Sequence, residues 1–121
     1  MSKKVMIVED SNLMVSVITN FIKKSGMDIN IVVAHSGEES IELYQKDRPN
    51  LVFMDIKMPG MDGITALENI KKIDNYAKVV MCTSLKDPDS EERSKKCGCV
   101  GYIMKPFGSK DIIDALEKNL R

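Results

Sequence analysis

The sequence predicts an α/β domain built on a doubly wound, five-stranded parallel sheet. Five short apolar runs alternate along its 121 residues with segments of helical periodicity. Three of those runs are apolar on consecutive residues, as expected of central strands that helices cover on both faces. Strands that alternate with helices form right-handed crossovers and hence a parallel sheet. Five strand–helix units fit this length, whereas a barrel of eight does not.

The predicted strands are the apolar runs themselves. The three central strands are Val5–Val8, Leu51–Met54 and Val79–Cys82. In chain order Ile29–Ala34 is the second strand and Gly101–Met104 a short fifth, so the three central strands are the first, third and fourth. Ligands of such sheets bind beyond the carboxyl ends of the strands, so the residues that follow each strand are the first candidates for a functional site.

The first three predicted helices show apolar residues at helical spacing and clear end signals. The first has a stripe ended by Gly26 and formed by Leu13, Met14, Val17, Ile18, Phe21 and Ile22. Ser36 and Glu39 form a capping-box pattern that opens the second, and Pro49 prevents its continuation. The third has Ile64, Leu67, Ile70 and Ile73 on one face.

The last two predicted helices differ in their apolar content. Asp87 and Pro88 are a good N-cap and first residue for the fourth, yet residues 86–96 offer only charged residues, serines and one proline. Such a helix gains little from packing, so we expect this segment to be mobile in the unmodified protein; a solvated face is the alternative. The fifth is predicted to be capped by Ser109, with an apolar stripe of Ile112, Ile113, Leu116 and Leu120.

Composition excludes several classes of function. Eighteen basic and 18 acidic residues give zero net charge without a basic run, which argues against nucleic-acid binding and against anionic membranes. No apolar stretch is long enough to span a bilayer or to serve as a signal peptide, so we expect a cytoplasmic protein. Three cysteines without a CxxC pair and a single histidine make a thiolate zinc site improbable.

Carboxylates follow two of the central strands. Glu9 and Asp10 follow the first, and Asp55 follows the third. If these strands are neighbours, three carboxylates share one pocket, where they repel one another and lose solvation. A hard divalent cation such as Mg²⁺ would remove the conflict. The alternative is that the acids only solvate strand ends or cap the next helix.

A hydroxyl and an ammonium group lie at the ends of the fourth and fifth strands. Thr83 ends the fourth strand, and Lys105 follows the fifth. Beside a carboxylate cluster they suggest recognition of an anion that arrives at the site. Taken singly, Thr83 is more often an ordinary strand residue and Lys105 a solvated surface lysine.

Four sequence blocks carry a family resemblance over essentially the whole chain. The segments VMIVED (5–10), MDIKMPGMDG (54–63), MCTS (81–84) and GYIMKPF (101–107) resemble the signature blocks of the response-regulator receiver domain. The resemblance implies one receiver domain over residues 1–121, with a flavodoxin-like (βα)5 fold and strand order 2-1-3-4-5. Within the family the chain is most similar to single-domain chemotaxis regulators of the CheY type.

The resemblance also implies a phosphoacceptor and a metal set. Asp55 would be the nucleophile that accepts a phosphoryl group from a histidine kinase in a two-component system. Asp10 and Asp55 would bind Mg²⁺ directly, with the backbone carbonyl of Lys57 as a further ligand and Glu9 acting through water. Lys105 would neutralise phosphoryl oxygens.

The same resemblance implies a switch. Thr83 would turn toward the phosphoryl group and Tyr102 would move inward behind it. The Lys105–Pro106 peptide bond would be cis, which aims the lysine into the site. Lys57 and Leu85 occupy positions that in this family tune the lifetime of the phosphorylated form.

The implied partners are proteins. The phosphodonor would be a CheA-type histidine kinase. A monomer would then bind a motility switch protein or its adaptor through the face formed by helix 4, strand 5 and helix 5. The protein would catalyse its own phosphotransfer and dephosphorylation without being a dedicated enzyme.

Other functions stay open at this point. The runner-up is a phosphorelay shuttle that passes its phosphoryl group to another histidine domain. An aspartyl phosphatase is disfavoured because Lys57 stands where many such enzymes carry a general-acid aspartate. A flavodoxin-like electron carrier is disfavoured because Glu9 and Asp10 would repel the phosphate of its cofactor.

Two cysteines and two methionines lie within or close to these blocks. Cys97 and Cys99 stand where relatives commonly carry small residues, and we interpret them as small buried hydrophobes, with a redox role as the alternative. Met58 and Met61 are expected to be partly exposed and available to partners.

Overall fold

Five parallel strands alternate with five helices in the computed structural model, which describes residues 2–84 and 88–121. The strands are β1 (Lys3–Val8), β2 (Ile29–Ala34), β3 (Leu51–Met54), β4 (Val79–Thr83) and β5 (Gly101–Met104). The helices are α1 (Asn12–Lys24), α2 (Gly37–Asp47), α3 (Gly63–Ile73), α4 (Pro88–Lys96) and α5 (Ser109–Leu120). Three predictions fall outside the described residues. They concern the cap Asp87, the tuning position Leu85 and the mobility of residues 86–87.

The sheet has the order β2-β1-β3-β4-β5, as the resemblance implied. All four strand pairs are parallel, so every carboxyl end lies at the same edge. The register pairs Val8 of β1 with Met54 of β3, which are the last residues of the two strands. This pairing places the residues that follow β1 beside those that follow β3.

Two apolar clusters cover the two faces of the sheet. Met6 and Val8 of β1 point toward α2 and α3, and they pack in a cluster that includes Tyr44 and Leu67. Val5 and Ile7, which alternate with them, belong to the opposite cluster, formed mainly with α1 and α5 through Ile18, Ile22, Ile112 and Leu116. Burial on both faces explains why β1, β3 and β4 read as continuous apolar runs.

The capping signals of α2 act largely as predicted. The Ser36 hydroxyl accepts a hydrogen bond from the Glu39 backbone N–H at 3.0 Å. The Glu39 carboxylate accepts from the His35 N–H at 2.6 Å, one residue earlier than in a capping box. Arg48 ends the helix in the left-handed conformation, with φ of 45°, immediately before Pro49.

Three local predictions were wrong. Ser109 is the first residue of α5 and Gly108 its cap, because the Asp111 carboxylate accepts the Gly108 N–H at 3.0 Å. Leu13 is 76% exposed, since it lies in the first turn of α1 at the carboxyl edge, ahead of the residues that pack on the sheet. Met58 is buried and belongs to the core cluster on the α2–α3 side, against which the half-buried Met61 packs.

The helix α4 forms over Pro88–Lys96, and its inward face consists of serines. Ser90 and Ser94 are buried, and the Ser94 hydroxyl has no hydrogen-bond partner in the part of the chain that the structure describes. Ion pairs at spacing i, i+4 join two glutamates to two lysines on the outer face. The described helices include none with the length and apolar character to cross a membrane.

Candidate functional site

The carboxyl edge of the sheet brings three carboxylates together. The Asp55 backbone N–H donates to the Val8 carbonyl at 3.0 Å, so the β1–β3 pairing extends past the last strand residue. Oxygen atoms of Glu9, Asp10 and Asp55 all lie within 4.8 Å of one another. Glu9 and Asp55 are buried, whereas Asp10 is exposed. The predicted acidic cluster is therefore present, and two of its members are largely removed from water.

One ammonium group reaches this cluster. The Lys105 Nζ donates to Glu9 Oε1 at 2.9 Å and lies 3.6 Å from Asp55 Oδ2. The Lys105 backbone N–H donates to the Thr83 carbonyl at 2.8 Å, and the Lys105–Pro106 peptide bond is cis, as the resemblance implied. Burial opposes the charge of Lys105, but the hydrogen bond to Glu9 and the two carboxylates outweigh it and raise the pKa of Lys105. Lys105 is thus a fixed cation of the site.

The charge of Asp55 is only partly compensated. Burial, and next the neighbouring Glu9 carboxylate, raise the pKa of Asp55 to about 6, against the opposing effects of Lys105 and of the backbone N–H groups of Ile56 and Lys57. Among the residues that the structure describes, one ammonium group faces three carboxylates at this edge. The site accordingly favours an additional positive charge.

The loop after β3 holds Asp55 against the start of α3. Gly60 has φ of +79°, which glycine adopts at low cost and which turns the chain away from β3. Gly63 differs from Gly60, because its φ is not positive. A Cβ at Gly63 would lie 2.0 Å from the Asp55 carbonyl oxygen. Close backbone approach, and not a left-handed turn, therefore requires glycine at position 63.

The two predicted switch residues lie on neighbouring strands. Thr83 is fully buried at the end of β4 and is paired in register with Met104 of β5. Tyr102 is half-buried on β5 and packs against the core cluster on the α2–α3 side. Thr83 thus lies at the acidic edge, and Tyr102 lies on the outermost strand beside it. The switching roles of both residues stay predictions.

Two site neighbours were missed in the sequence. The Ser11 backbone N–H donates to Glu9 Oε2 at 3.1 Å, which orients the carboxylate that Lys105 contacts. The sequence could have indicated Ser11, because a serine directly after Glu9-Asp10 is a strong helix cap. Cys82 is buried within the electrostatic reach of Lys105 and Asp55, and burial raises the pKa of its thiol. An apolar strand residue carries no such signal.

Comparison with known proteins agrees with this geometry. Residues 5–117 match the family model described as the response regulator receiver domain. The chain belongs to the response-regulator receiver family.

Relatives of this receiver match it over nearly their whole lengths. Chemotaxis protein CheY of Bacillus subtilis is 35% identical over 120 residues, 99% of each chain. Sporulation initiation phosphotransferase F of the same organism is 33% identical, covering 99% of this chain and 95% of the relative. A crystal structure of the CheX–CheY–BeF3–Mg²⁺ complex from Borrelia burgdorferi matches with a TM-score of 0.90 and 30% identity, covering 98% of this chain and 90% of that chain.

Family membership gives the acidic pocket a chemical meaning. Receiver domains bind Mg²⁺ at an acidic pocket, accept a phosphoryl group from a histidine kinase and bind other proteins. The donors present here fit Mg²⁺, because they are clustered carboxylate oxygens with unbalanced negative charge. Asp10, Asp55 and Glu9 are the side chains that would hold it. The direct or water-mediated contacts and the Lys57 carbonyl ligand stay predictions.

Proposed function

We propose that this response regulator controls chemotaxis or motility, accepting a phosphoryl group on Asp55 from a CheA-type histidine kinase and signalling by protein binding. The observation that carries the proposal is the buried Asp55 carboxylate, clustered with Glu9 and Asp10 and 3.6 Å from the Lys105 ammonium. The relatives named chemotaxis protein CheY support the choice of chemotaxis. The proposal places the protein in the cytoplasm.

Asp55 is the nucleophile in this proposal. One of its carboxylate oxygens attacks the phosphorus of the kinase phosphohistidine, so a P–O bond forms as the P–N bond breaks and the imidazole nitrogen keeps the electron pair. When bound, Mg²⁺ would supply positive charge to the carboxylates and the phosphoryl oxygens. The nucleophile must be ionised, and cationic charge near Asp55 favours that form.

Lys105 exchanges partners in the course of the reaction. Its ammonium group is hydrogen-bonded to Glu9 at 2.9 Å and lies 3.6 Å from the Asp55 carboxylate. A phosphoryl group on Asp55 brings new anionic oxygens within reach of the same ammonium. The Lys105 backbone is hydrogen-bonded to Thr83, so a movement of Lys105 would also displace the end of β4.

Phosphorylation would change the protein-binding surface through residues of β4 and β5. Thr83 would contact the phosphoryl group, and Tyr102 would move into the space behind it. The altered surface of α4, β5 and α5 would then bind a motility switch protein or its adaptor. The protein acts on itself, as a phosphoacceptor, and turns over no separate substrate.

Intact-mass measurement tests the proposed chemistry. The protein is incubated with acetyl phosphate, with and without Mg²⁺, beside an Asp55→Asn variant and an Asp28→Asn control. Asp28 is an exposed aspartate remote from the cluster. The expected result is one added phosphoryl group that requires Mg²⁺, persists in Asp28→Asn and disappears in Asp55→Asn. Addition that survives Asp55→Asn refutes the assignment of Asp55.

Transfer experiments separate the output classes. The phosphorylated protein is offered to a motility switch protein, to an adaptor and to histidine phosphotransfer domains. Phosphorylation-dependent binding without loss of the phosphoryl group supports motility control. Rapid transfer of the phosphoryl group to a histidine domain identifies a phosphorelay shuttle and overturns the chemotaxis assignment.

A further inference from the structure

A polar groove lies at the amino edge of the sheet, opposite the acidic pocket. It has a volume of about 460 Å³, within the range of small-molecule sites, which is about 300–1,000 Å³. It is bordered by Lys3, the first residue of β1, and by Lys78, which directly precedes β4. Six residues of extended chain separate Lys3 from Glu9, so the two sites are roughly 20 Å apart.

Hydrogen bonds and an ion pair to Asp74 form the floor of the groove. The hydroxyl of Tyr44, which is almost fully buried, donates to Asp74 Oδ2 at 2.8 Å, and the Tyr76 backbone N–H donates to Asp74 Oδ1 at 3.0 Å. The Arg48 guanidinium lies 3.8 Å from the same carboxylate and 5.7 Å from the centre of the Tyr44 ring. These bonds, that from Tyr44 foremost, lower the pKa of Asp74. Asp74, the one acidic side chain among the described residues that line the groove, thus already has partners.

Positive charge at the groove is not balanced in the same way. Across residues 2–84 and 88–121, no acidic side chain lies within ion-pair distance of the Lys3 or Lys78 ammonium groups. Lys78 Nζ donates to the Asn119 carbonyl at 2.9 Å, which leaves two of its protons for another acceptor. A protein with zero formal net charge therefore presents unpaired cations beside this groove.

An aromatic surface borders the same space. Tyr76 is 87% exposed, although its backbone is fixed by the hydrogen bond to Asp74. The exposed ring offers a face on which a flat ligand can stack. Ammonium groups bind phosphate oxygens, and an exposed aromatic ring stacks on a planar base. Together they match the chemistry of a nucleotide.

We propose that this amino-edge groove binds a nucleotide-sized ligand, with phosphoryl oxygens on Lys3 and Lys78 and a planar base against Tyr76. The ligand's negative charge meets the two unpaired ammonium groups. The Tyr44–Asp74 network holds the floor of the groove, whereas the exposed Lys3, Lys78 and Tyr76 side chains become ordered on binding. The groove shares no residue with the acidic cluster, so the proposal does not rest on the function proposed for Asp55.

The test is a nitrogen–proton NMR titration of the full chain with adenosine diphosphate. EDTA keeps the solution free of Mg²⁺, so that the acidic pocket repels the probe. Lys78→Gln and Tyr76→Ala each remove one proposed contact. Lys72→Gln is the matched control, because Lys72 is an exposed lysine outside the groove. A circular dichroism melt of each variant checks that it is folded.

The expected result is saturable binding with shifts concentrated at the groove. Lys78→Gln should weaken binding by about tenfold, because it removes a charge-assisted contact. Tyr76→Ala should weaken it by roughly fivefold or more through lost stacking. Lys72→Gln should leave the affinity within about twofold, since an exposed charge outside the groove is screened.

Three outcomes would overturn the proposal. One is the absence of saturation at ligand concentrations of about 10 mM, which corresponds to an affinity too weak to be specific. Another is a loss of affinity in Lys72→Gln equal to that in Lys78→Gln, which would indicate general charge attraction. A third is inorganic phosphate binding as tightly as adenosine diphosphate, which would exclude a role for the planar base.

Discussion

Replacement of Asp55 by asparagine should stabilise the metal-free protein. The carboxylate has a pKa raised from 3.8 to about 6, chiefly by burial and then by Glu9. Each pKa unit corresponds to about 1.4 kcal/mol, so ionised Asp55 destabilises the fold by at most about 3 kcal/mol near pH 7.5. Asn has a similar shape and no charge, and we expect a gain of about 1–3 kcal/mol in the free energy of unfolding.

The sign of the pH dependence follows from the raised pKa. Above pH 6 the carboxylate is ionised in both states, and the folded state carries the full destabilisation. As pH falls through the folded pKa toward the unfolded value, the folded state takes up its proton first and the penalty is lost. The advantage of Asp55→Asn should therefore shrink to about 1 kcal/mol near pH 4.5.

Urea unfolding in EDTA at both pH values measures this difference. Asp28→Asn is a matched control, because Asp28 is exposed and its carboxylate stays solvated. Added Mg²⁺ should stabilise the wild type more than Asp55→Asn, since the cation offsets a charge that the variant lacks. Equal stability of wild type and Asp55→Asn at pH 7.5, or a gain that does not change with pH, would refute the electrostatic reasoning.

Three further substitutions probe separate features. Lys105→Gln removes the ammonium that contacts Glu9 and Asp55. We expect the free energy of unfolding in urea to fall by about 1–3 kcal/mol and phosphorylation by acetyl phosphate to slow about 100-fold. An unchanged rate would contradict the proposed role. Gly63→Ala places a Cβ against the Asp55 carbonyl and should cost roughly 3 kcal/mol, seen as a lower urea midpoint; wild-type stability would show that the loop relaxes freely. Ser94→Ala deletes a buried hydroxyl that has no hydrogen-bond partner among the described residues, and it should raise stability by about 1 kcal/mol and slow hydrogen exchange of α4. A loss of stability would mean that the hydroxyl has a partner.

Much of the fold and of the site could be predicted because the signals are local. The apolar runs of β1, β3 and β4 and the cap at Ser36 are properties of consecutive residues. The acidic cluster was predictable because parallel strands end at one edge. The errors at Leu13 and Met58 concern burial, which depends on neighbours distant in sequence.

The sequence by itself determined the class of fold, the edge where the site forms and the residue types that reach it. Alternation of strands with helices and the identity of the residue after each strand require no knowledge of packing. The tertiary structure decided the rest. It showed that Lys105 bonds to Glu9 more closely than to Asp55, and that Gly63 is needed for close approach. It also assembled Lys3 and Lys78 into a groove with Tyr76. These relations join residues far apart along the chain, so their distances and desolvation exist only once the sheet has formed.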